Sequence, residues 1–185
     1  MGTPSFNLKS IVAALFALAL NSLPLAADER VDELLGILQS APEQEALRAA
    51  RDLEIVWSRS GSAAMDLLLE RGRDALEEED PVTAIEHLTA LTDHAPDFAE
   101  GYHARATAYF QRGLYGPALD DLQRTLALNP SQFNAIFGLG VMLEEFGDLR
   151  RAEQAFRQVL ALHPHHQNAK TALEALESRG VGRAL

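Results

Sequence analysis

Three histidines near the carboxyl terminus are the densest group of side chains in this chain that could do chemistry. His163, His165 and His166 lie within four residues, around Pro164, and imidazole nitrogens bind zinc and copper. No carboxylate or thiolate stands near them in the sequence to complete a coordination shell. We therefore expect an ordinary exposed turn here, and we predict neither a metal nor a cofactor.

Other patterns that could suggest catalysis also fit structural roles. Ser60-Gly61-Ser62 resembles part of a nucleophile elbow, but no strand pattern precedes it, so a helix cap is the better interpretation. The run from Glu77 to Asp80 has the form of a solvated turn between helices. The sequence has no glycine-rich phosphate loop and no His-Glu-x-x-His motif. We predict that the protein is not an enzyme, and we do not expect a small-molecule ligand.

The overall charge narrows the choice of partner. The chain has 27 acidic and 16 basic side chains, a formal net charge of −11, so we expect no nucleic-acid partner, because phosphates repel an acidic surface. We interpret the acidity as a contribution to solubility; the alternative is an acidic face for a basic ligand. There is no cysteine and hence no disulfide framework, so the helical core must hold the fold by itself.

The elements that must position these residues follow from an internal repeat. Three prolines stand 34 residues apart, and small residues recur in phase with them. The aligned columns are Pro96, Pro130 and Pro164; Ala84, Ala118 and Ala152; Gly72, Ala106 and Gly140; and Leu88, Leu122 and Phe156. This spacing predicts pairs of antiparallel helices that approach closely at the small residues, with each proline ending a second helix.

A period of 34 residues with these columns resembles the tetratricopeptide repeat family over residues 65–164. The resemblance implies an all-α fold, a right-handed α-superhelix (solenoid) of three helical hairpins at 65–98, 99–132 and 133–166. Two departures from the family pattern stand out. Arg71 and Arg105 replace the leucine usual before the small residue, and Ala75 stands where the second repeat has Tyr109.

Residues 1–27 have the three regions of a secretory signal peptide. Lys9 gives the positive start, Ile11 to Leu20 is an apolar run of ten residues, and Leu25-Ala26-Ala27 precedes a charged stretch. A membrane-spanning helix needs about 20 apolar residues, so an uncleaved anchor is the weaker alternative. We predict cleavage after Ala27 and a location in the bacterial periplasm, with membrane contact only through the cleaved signal.

The segments that flank the repeats are predicted to be helical. Residues 28–61 carry two apolar stripes separated by Ser40-Ala41-Pro42-Glu43, which has the form of a capping box. We interpret this segment as a degenerate or capping unit that covers the outermost repeat. Ser62 is expected to cap the helix that follows. A closing helix is predicted at 167–178 and a frayed tail at 179–185.

The resemblance also implies where a partner binds. Tetratricopeptide proteins bind peptides and partner proteins, and the first helix of each hairpin lines the inner surface of the array. The lining predicted for this chain is Asp66, Leu69, Arg73, Leu76, Glu100, His103, Thr107, Phe110, Asn134, Phe137, Val141 and Glu144. Some members hold a C-terminal carboxylate with inward Lys, Arg and Asn side chains. Only Arg73 and Asn134 approach that chemistry here, so we do not expect this subtype.

We therefore predict a scaffold that holds a protein or peptide segment in the groove. Phe110 and Phe137 are the expected apolar anchors, unless both rings belong to the core, and titration of His103 would make affinity depend on pH. The alternative is a cell-envelope assembly protein that contacts partners through the N-terminal hairpin, with Trp57, or through the outer face of the array.

Overall fold

The computed structural model describes residues 23–180, and within this range nine α-helices follow one another without a strand. Their bounds are α1 Leu23–Ser40, α2 Glu43–Trp57, α3 Ala63–Glu77, α4 Pro81–His94, α5 Ala99–Gln111, α6 Tyr115–Leu128, α7 Phe133–Glu145, α8 Leu149–Leu162 and α9 Gln167–Ser178. None of the helices in this range is long and apolar enough to cross a membrane. Most of the predicted signal peptide lies outside the described residues, and its cleavage remains a prediction.

Three helical hairpins form the array. Helices α3 and α4, α5 and α6, and α7 and α8 pack as pairs, and the second helix of each pair contacts the first helix of the next. Helix α9 packs on α8, where Leu176 joins Phe156 in one buried cluster. The predicted all-α superhelix is confirmed.

The small-residue columns mark the closest helix contacts. A Cβ atom added at Gly72 would lie 2.5 Å from Cγ of Leu88, and one added at Gly140 would lie 2.5 Å from Cε1 of Phe156. Both distances are far below van der Waals contact. Ala106, in the middle repeat, shares a buried cluster with Leu122. The large residue of each second helix therefore fills the space that the small residue of the first helix leaves open.

A further periodic feature lies in the turns between the two helices of each repeat. Glu79, Gly113 and Gly147 stand 34 residues apart, and all three have positive φ angles, of 59°, 75° and 79°. Glycine adopts this conformation without a steric penalty, whereas glutamate does not. The exposed acidic turn of the first repeat thus holds the one strained residue of the column.

The arginine at position 105, where the family usually has a leucine, has a structural explanation. Its guanidinium donates to both carboxylate oxygens of Asp121, at 2.7 and 2.8 Å, and lies 5.5 and 5.7 Å from the ring centroids of Tyr102 and Tyr109. Thr92 accepts a further hydrogen bond at 2.6 Å. A satisfied ion pair therefore replaces the apolar contact that a leucine would make, and it connects helices α4, α5 and α6.

Two expectations about caps are wrong. Ser40 is the last residue of α1, and its hydroxyl donates to the carbonyl of Gly36 at 2.7 Å, while Pro42 occupies the position before α2 and offers no side-chain acceptor. The capping box therefore does not form, because Ser40 is committed to the preceding helix. Ser62 stands at the cap position of α3 but its side chain makes no capping bond. Ser60 instead binds Asp66 through its amide and its hydroxyl.

The N-terminal hairpin, α1 and α2, does not cover the first repeat. The buried cluster of the first repeat contains no residue of α1 or α2 from the described part of the chain. Leu34, Leu38 and Leu53 share a buried cluster with Phe133 and other residues of α7, α8 and α9. Gly61, with φ at 82°, allows the sharp turn that directs the hairpin back across the array. The expected capping of the outermost repeat is thus replaced by docking on the third.

Candidate functional site

The inner face of the array carries two connected chambers. The larger, the polar chamber, has a volume of about 880 Å³ and lies between α2 and the first helices of the three repeats. Its lining is Arg51, Glu54, Ile55, Ser58, Arg59, Asp66, Arg73, Leu76, Glu100, His103, Ala104, Thr107, Gln132 and Asn134. The smaller, the apolar chamber, has a volume of about 260 Å³. Its lining is His103, Ala106, Thr107, Phe110, Leu122, Asn134, Phe137, Gly138, Val141 and Met142.

Glu100 is the centre of the polar chamber. It is 5% exposed, and its carboxylate accepts hydrogen bonds from Arg73 and, at 2.7 Å, from the side-chain amide of Gln132. Nδ1 of His103 lies 3.3 Å away. Burial by itself would raise the pKa of Glu100, but His103 and Arg73 together hold that pKa below its usual value. The floor of the chamber is therefore a fixed ionic network and not a set of free charges.

The N-terminal hairpin supplies the opposite wall of the polar chamber. The amide of Asn134 donates to Glu54 of α2 at 2.9 Å, and the guanidinium of Arg73 donates to the hydroxyl of Ser58 at 3.0 Å. The two side chains that could have bound a partner's terminal carboxylate are thus engaged by groups of the chain itself. A partner's carboxylate would therefore compete with Glu100 for Arg73 and with Glu54 for Asn134.

The apolar chamber lies between α5 and α7. Phe110 and Phe137 are half-buried: Phe110 meets Tyr115 edge to face at 5.6 Å, and Phe137 lies 5.6 Å from Phe156. Gly138 leaves one wall open, because a Cβ atom there would meet only Leu122, at 3.7 Å. Both rings thus contact the core on one side and line the chamber on the other, and their role as anchors for a partner stays a prediction.

The structure brings most of the predicted lining together. Asp66, Arg73, Leu76 and Glu100 line the polar chamber, Phe110, Phe137 and Val141 line the apolar chamber, and His103, Thr107 and Asn134 lie where the chambers meet. Two expectations are wrong. Leu69 is 2% exposed and belongs to the core of the first repeat, because it packs with Leu88 and Leu91. Glu144 lines neither chamber and instead forms an ion pair with Arg179, at 3.0 Å.

Five lining residues lie in α2 and the turn after it, and no sequence pattern indicates their position. They are Arg51, Glu54, Ile55, Ser58 and Arg59. The polar face of α2 could be read from the spacing of its apolar stripe, but nothing local indicates that this face would be turned toward the repeats. Gln132 was missed for a different reason. It precedes α7 in a turn, where helical geometry assigns no inward face.

The histidine turn, residues 163–166, is not the exposed turn that we expected. His163 is 4% exposed and packs edge to face on Phe133 at 5.4 Å, and His166 accepts the amide hydrogen of Ala169 at 3.1 Å and so caps α9. Burial, followed by the neighbouring His166, His165 and Lys170, lowers the pKa of His163 to about 4. In the described part of the chain, no group of three or more His, Cys, Asp or Glu side chains is placed so that it could hold a metal ion.

Comparisons with known proteins agree with this architecture. The family profile described as Tetratricopeptide repeat matches residues 69–132 and 103–167, together more than half of the chain. A TPR repeat-containing protein of Rhizobium etli is 27% identical over 155 residues, which cover 83% of this chain and 76% of that protein. The SGT1 homolog of Bos taurus is 37% identical over 79 residues, 43% of this chain but only 23% of that protein.

A solved structure shows a similar array with a ligand. The first TPR domain of Spaghetti (RPAP3), bound to the HSP90 peptide SRMEEVD, superposes with a TM-score of 0.62 at 25% identity. The match covers 65% of this chain and 96% of that domain.

Proposed function

Because the chain belongs to the tetratricopeptide repeat family, whose domains are protein–protein interaction modules, we propose that it is a non-enzymatic scaffold of the periplasm that holds a segment of a partner protein on its inner face. The supporting observation is the pair of connected chambers. A free apolar chamber next to a polar one favours a ligand that is itself amphipathic.

The apolar chamber is the anchoring site in this proposal. Its volume of about 260 Å³ is below the usual range for drug-sized ligands, roughly 300–1,000 Å³, and suits the insertion of one or two apolar side chains. Phe110, Phe137 and Val141 surround that space. Buried aromatic contacts of this kind supply most of the binding free energy in protein interfaces.

The polar chamber would hold the flanking part of the segment. His103, Thr107 and Asn134 lie where the chambers meet and can form hydrogen bonds with a backbone that passes from one to the other. Recognition of a terminal carboxylate is disfavoured because Arg73 is paired with Glu100 and Asn134 is paired with Glu54. We expect an internal segment with apolar anchors.

A filling substitution tests the proposal. Gly138→Leu should fill the apolar chamber and keep the fold, since a Cβ atom at this position makes only ordinary van der Waals contacts with Leu122 and Gly138 lines the chamber. With a partner first captured from native envelopes and then purified, calorimetry should show at least about 30-fold weaker binding, the equivalent of ~2 kcal/mol. Phe110→Ala should show a similar loss, with far-UV helicity retained in both variants.

Val82→Ala is the matched control, because Val82 is 48% exposed on α4 and lines neither chamber. Its affinity should equal that of the unmodified protein. Full binding by Gly138→Leu would contradict the groove proposal.

The alternative function, envelope assembly through another surface, has one supporting observation. Leu114 and Phe146 are 44% and 56% exposed at the turns within the second and third repeats, and Tyr115 lies 5.3 Å from Phe146. Loss of partner binding in Phe146→Ser, with normal binding by Gly138→Leu, would favour this alternative.

A further inference from the structure

The N-terminal hairpin is attached to the array at a defined seat. Its buried residues cluster with the third repeat and α9, and Trp57 of α2 lies 5.5 Å from Phe133 of α7. The connection to the first repeat is the short segment 58–62, which makes polar contacts through Ser58 and Ser60. The hairpin is therefore joined to the first repeat by a short polar segment and held on the third repeat by one apolar cluster.

Phe133 connects the hairpin to the histidine turn. The ring of His163 lies 5.4 Å from the ring of Phe133, and Phe133 also contacts Trp57. His166 lies 6.2 Å from Phe133 and 5.1 Å from Phe137. Residues of α2, among them Leu47 and Ala50, line a cleft with the three histidines. The imidazoles are thus part of the surface on which the hairpin sits.

A proton on His163 would be poorly accommodated there. The side chain is almost fully buried, and its Nδ1 atom has no hydrogen-bond partner in the described part of the chain. The main-chain N–H of His163 already donates to the carbonyl of Val159 in α8, at 2.7 Å. Helix α7 presents the uncharged side chains of Phe133 and Asn134. A buried cation without a partner is strongly unfavourable.

The charged groups that face His163 make this worse. Its own turn and α9 contribute His165, His166 and Lys170, and α2 contributes Arg51 and Glu54 across the cleft. Glu54 is the single acidic group in this set, and its carboxylate already accepts a hydrogen bond from the side-chain amide of Asn134. A positive charge on His163 would therefore be repelled by several cations and attracted by one carboxylate.

We propose that the histidine turn is a pH-sensitive latch, in which protonation of His163 releases the N-terminal hairpin from the third repeat and opens the polar chamber. The release itself needs no ligand. Its consequence for binding rests on the proposed function, because the hairpin forms one wall of the chamber that the partner would enter.

The direction of the effect follows from proton linkage. In the seated state, burial first and then His166, His165 and Lys170 lower the pKa of His163 from 6.5 to about 4, and burial also lowers the pKa of His166. Release of the hairpin would uncover the side of both rings that faces α2 and so remove part of the burial. With the hairpin released, His163 therefore binds a proton more readily. As the pH falls below 6.5, the equilibrium should shift toward release by at most about tenfold per pH unit through His163, with an upper limit of roughly 300-fold below pH 4.

Trp57 is the reporter for the test, because it is the only tryptophan and it lies at the seat. In the protein without any partner, lowering the pH from 7.5 to 4.5 should shift its emission to longer wavelength and increase acrylamide quenching, while far-UV helicity persists. His163→Leu should remove most of this change, and His94→Gln should not, because His94 is exposed on α4.

If His163→Leu lowers helicity at pH 7.5, His163→Asn serves as a second variant that cannot titrate. The same pH-dependent emission shift in a folded variant of either kind would overturn the latch. Failure of the groove proposal would be recognised separately, at pH 7.5, from the binding of Gly138→Leu. Where both hold, His163→Leu should abolish the difference in partner affinity between pH 7.5 and pH 5.5.

Discussion

Two glycines of α7, Gly138 and Gly140, should respond in opposite ways to the same substitution. They are two residues apart, so one points to the apolar chamber and the other to the partner helix α8. A methyl group at Gly138 would meet Leu122 at 3.7 and 3.9 Å, ordinary van der Waals contacts. Alanine is also favoured over glycine in a helix interior by about 1 kcal/mol. Gly138→Ala should therefore stabilise the protein by roughly 0.5–1 kcal/mol.

Gly140→Ala brings the same gain in helix propensity but meets a rigid neighbour. The new Cβ would lie 2.5 Å from Cε1 and 2.8 Å from Cδ1 of Phe156. That ring is fully buried and packs on Phe137, so it cannot move aside without disturbing a second ring. Overpacking of this kind costs about 1–3 kcal/mol, occasionally more. After the gain in propensity, we expect a net loss of roughly 0–2 kcal/mol.

Urea unfolding followed by circular dichroism measures both effects. Both variants gain the same helix propensity, so their free energies of unfolding should differ by the overpacking cost, about 1–3 kcal/mol, with unchanged m values. Gly72→Ala, which would place its Cβ 2.5 Å from Leu88, belongs with the destabilised variant, although the flexible leucine should reduce the loss. Equal midpoints for Gly138→Ala and Gly140→Ala would refute the assignment of these helix faces.

Four further outcomes are expected. Glu79→Gly should raise the free energy of unfolding by about 1 kcal/mol because it removes the strained positive φ; thermal unfolding checks this, and the same midpoint as the unmodified protein would contradict it. Ala118→Leu should lower that energy by roughly 1–3 kcal/mol, since Ala118 is fully buried between helices, whereas Ala90→Leu, at a half-buried position, should cost less in urea. The pKa of His163 is lower in the folded state, so the stability that the neutral imidazole contributes is complete above pH 6.5 and is lost as the pH falls toward 4. The total loss should be about 3 kcal/mol, and calorimetry should find it reduced in His163→Leu. The mature protein should begin at Asp28, as the intact mass of the exported protein will show.

The repeat could be predicted from sequence because its constraints are local and periodic. Gly72, Gly140 and their alanine counterparts need only one neighbouring helix to explain them, and that helix follows directly in the chain. The spacing therefore fixed both the fold and most of the inner lining. Leu69 was assigned wrongly because a helix of this array buries more than one face, and periodicity does not distinguish the core face from the groove face.

The position of the N-terminal hairpin could not be predicted in the same way. An apolar stripe such as that of Ala46, Ala50 and Leu53 shows that α2 packs on something, but several surfaces of the array would satisfy it. The burial of His163 is a long-range feature too. A histidine beside a proline turn is normally exposed, but here the ring packs on Phe133 at 5.4 Å and shares a cleft with residues of α2, and no local pattern predicts these contacts.

The docking of α2 on α7 has a consequence for how the molecule is made. Glu54 and its partner Asn134 are 80 residues apart in the chain, whereas neighbouring repeats pair with segments that follow almost directly. Because the polypeptide emerges with its amino end first, the hairpin precedes its own seat by the length of two complete repeats, so its apolar stripes have no surface to cover them in the meantime. Long-range contacts of this kind slow folding and leave intermediates open to aggregation. A chaperone that shields the first helices until the third repeat has been synthesised would therefore benefit this protein more than a solenoid that assembles strictly from one end to the other.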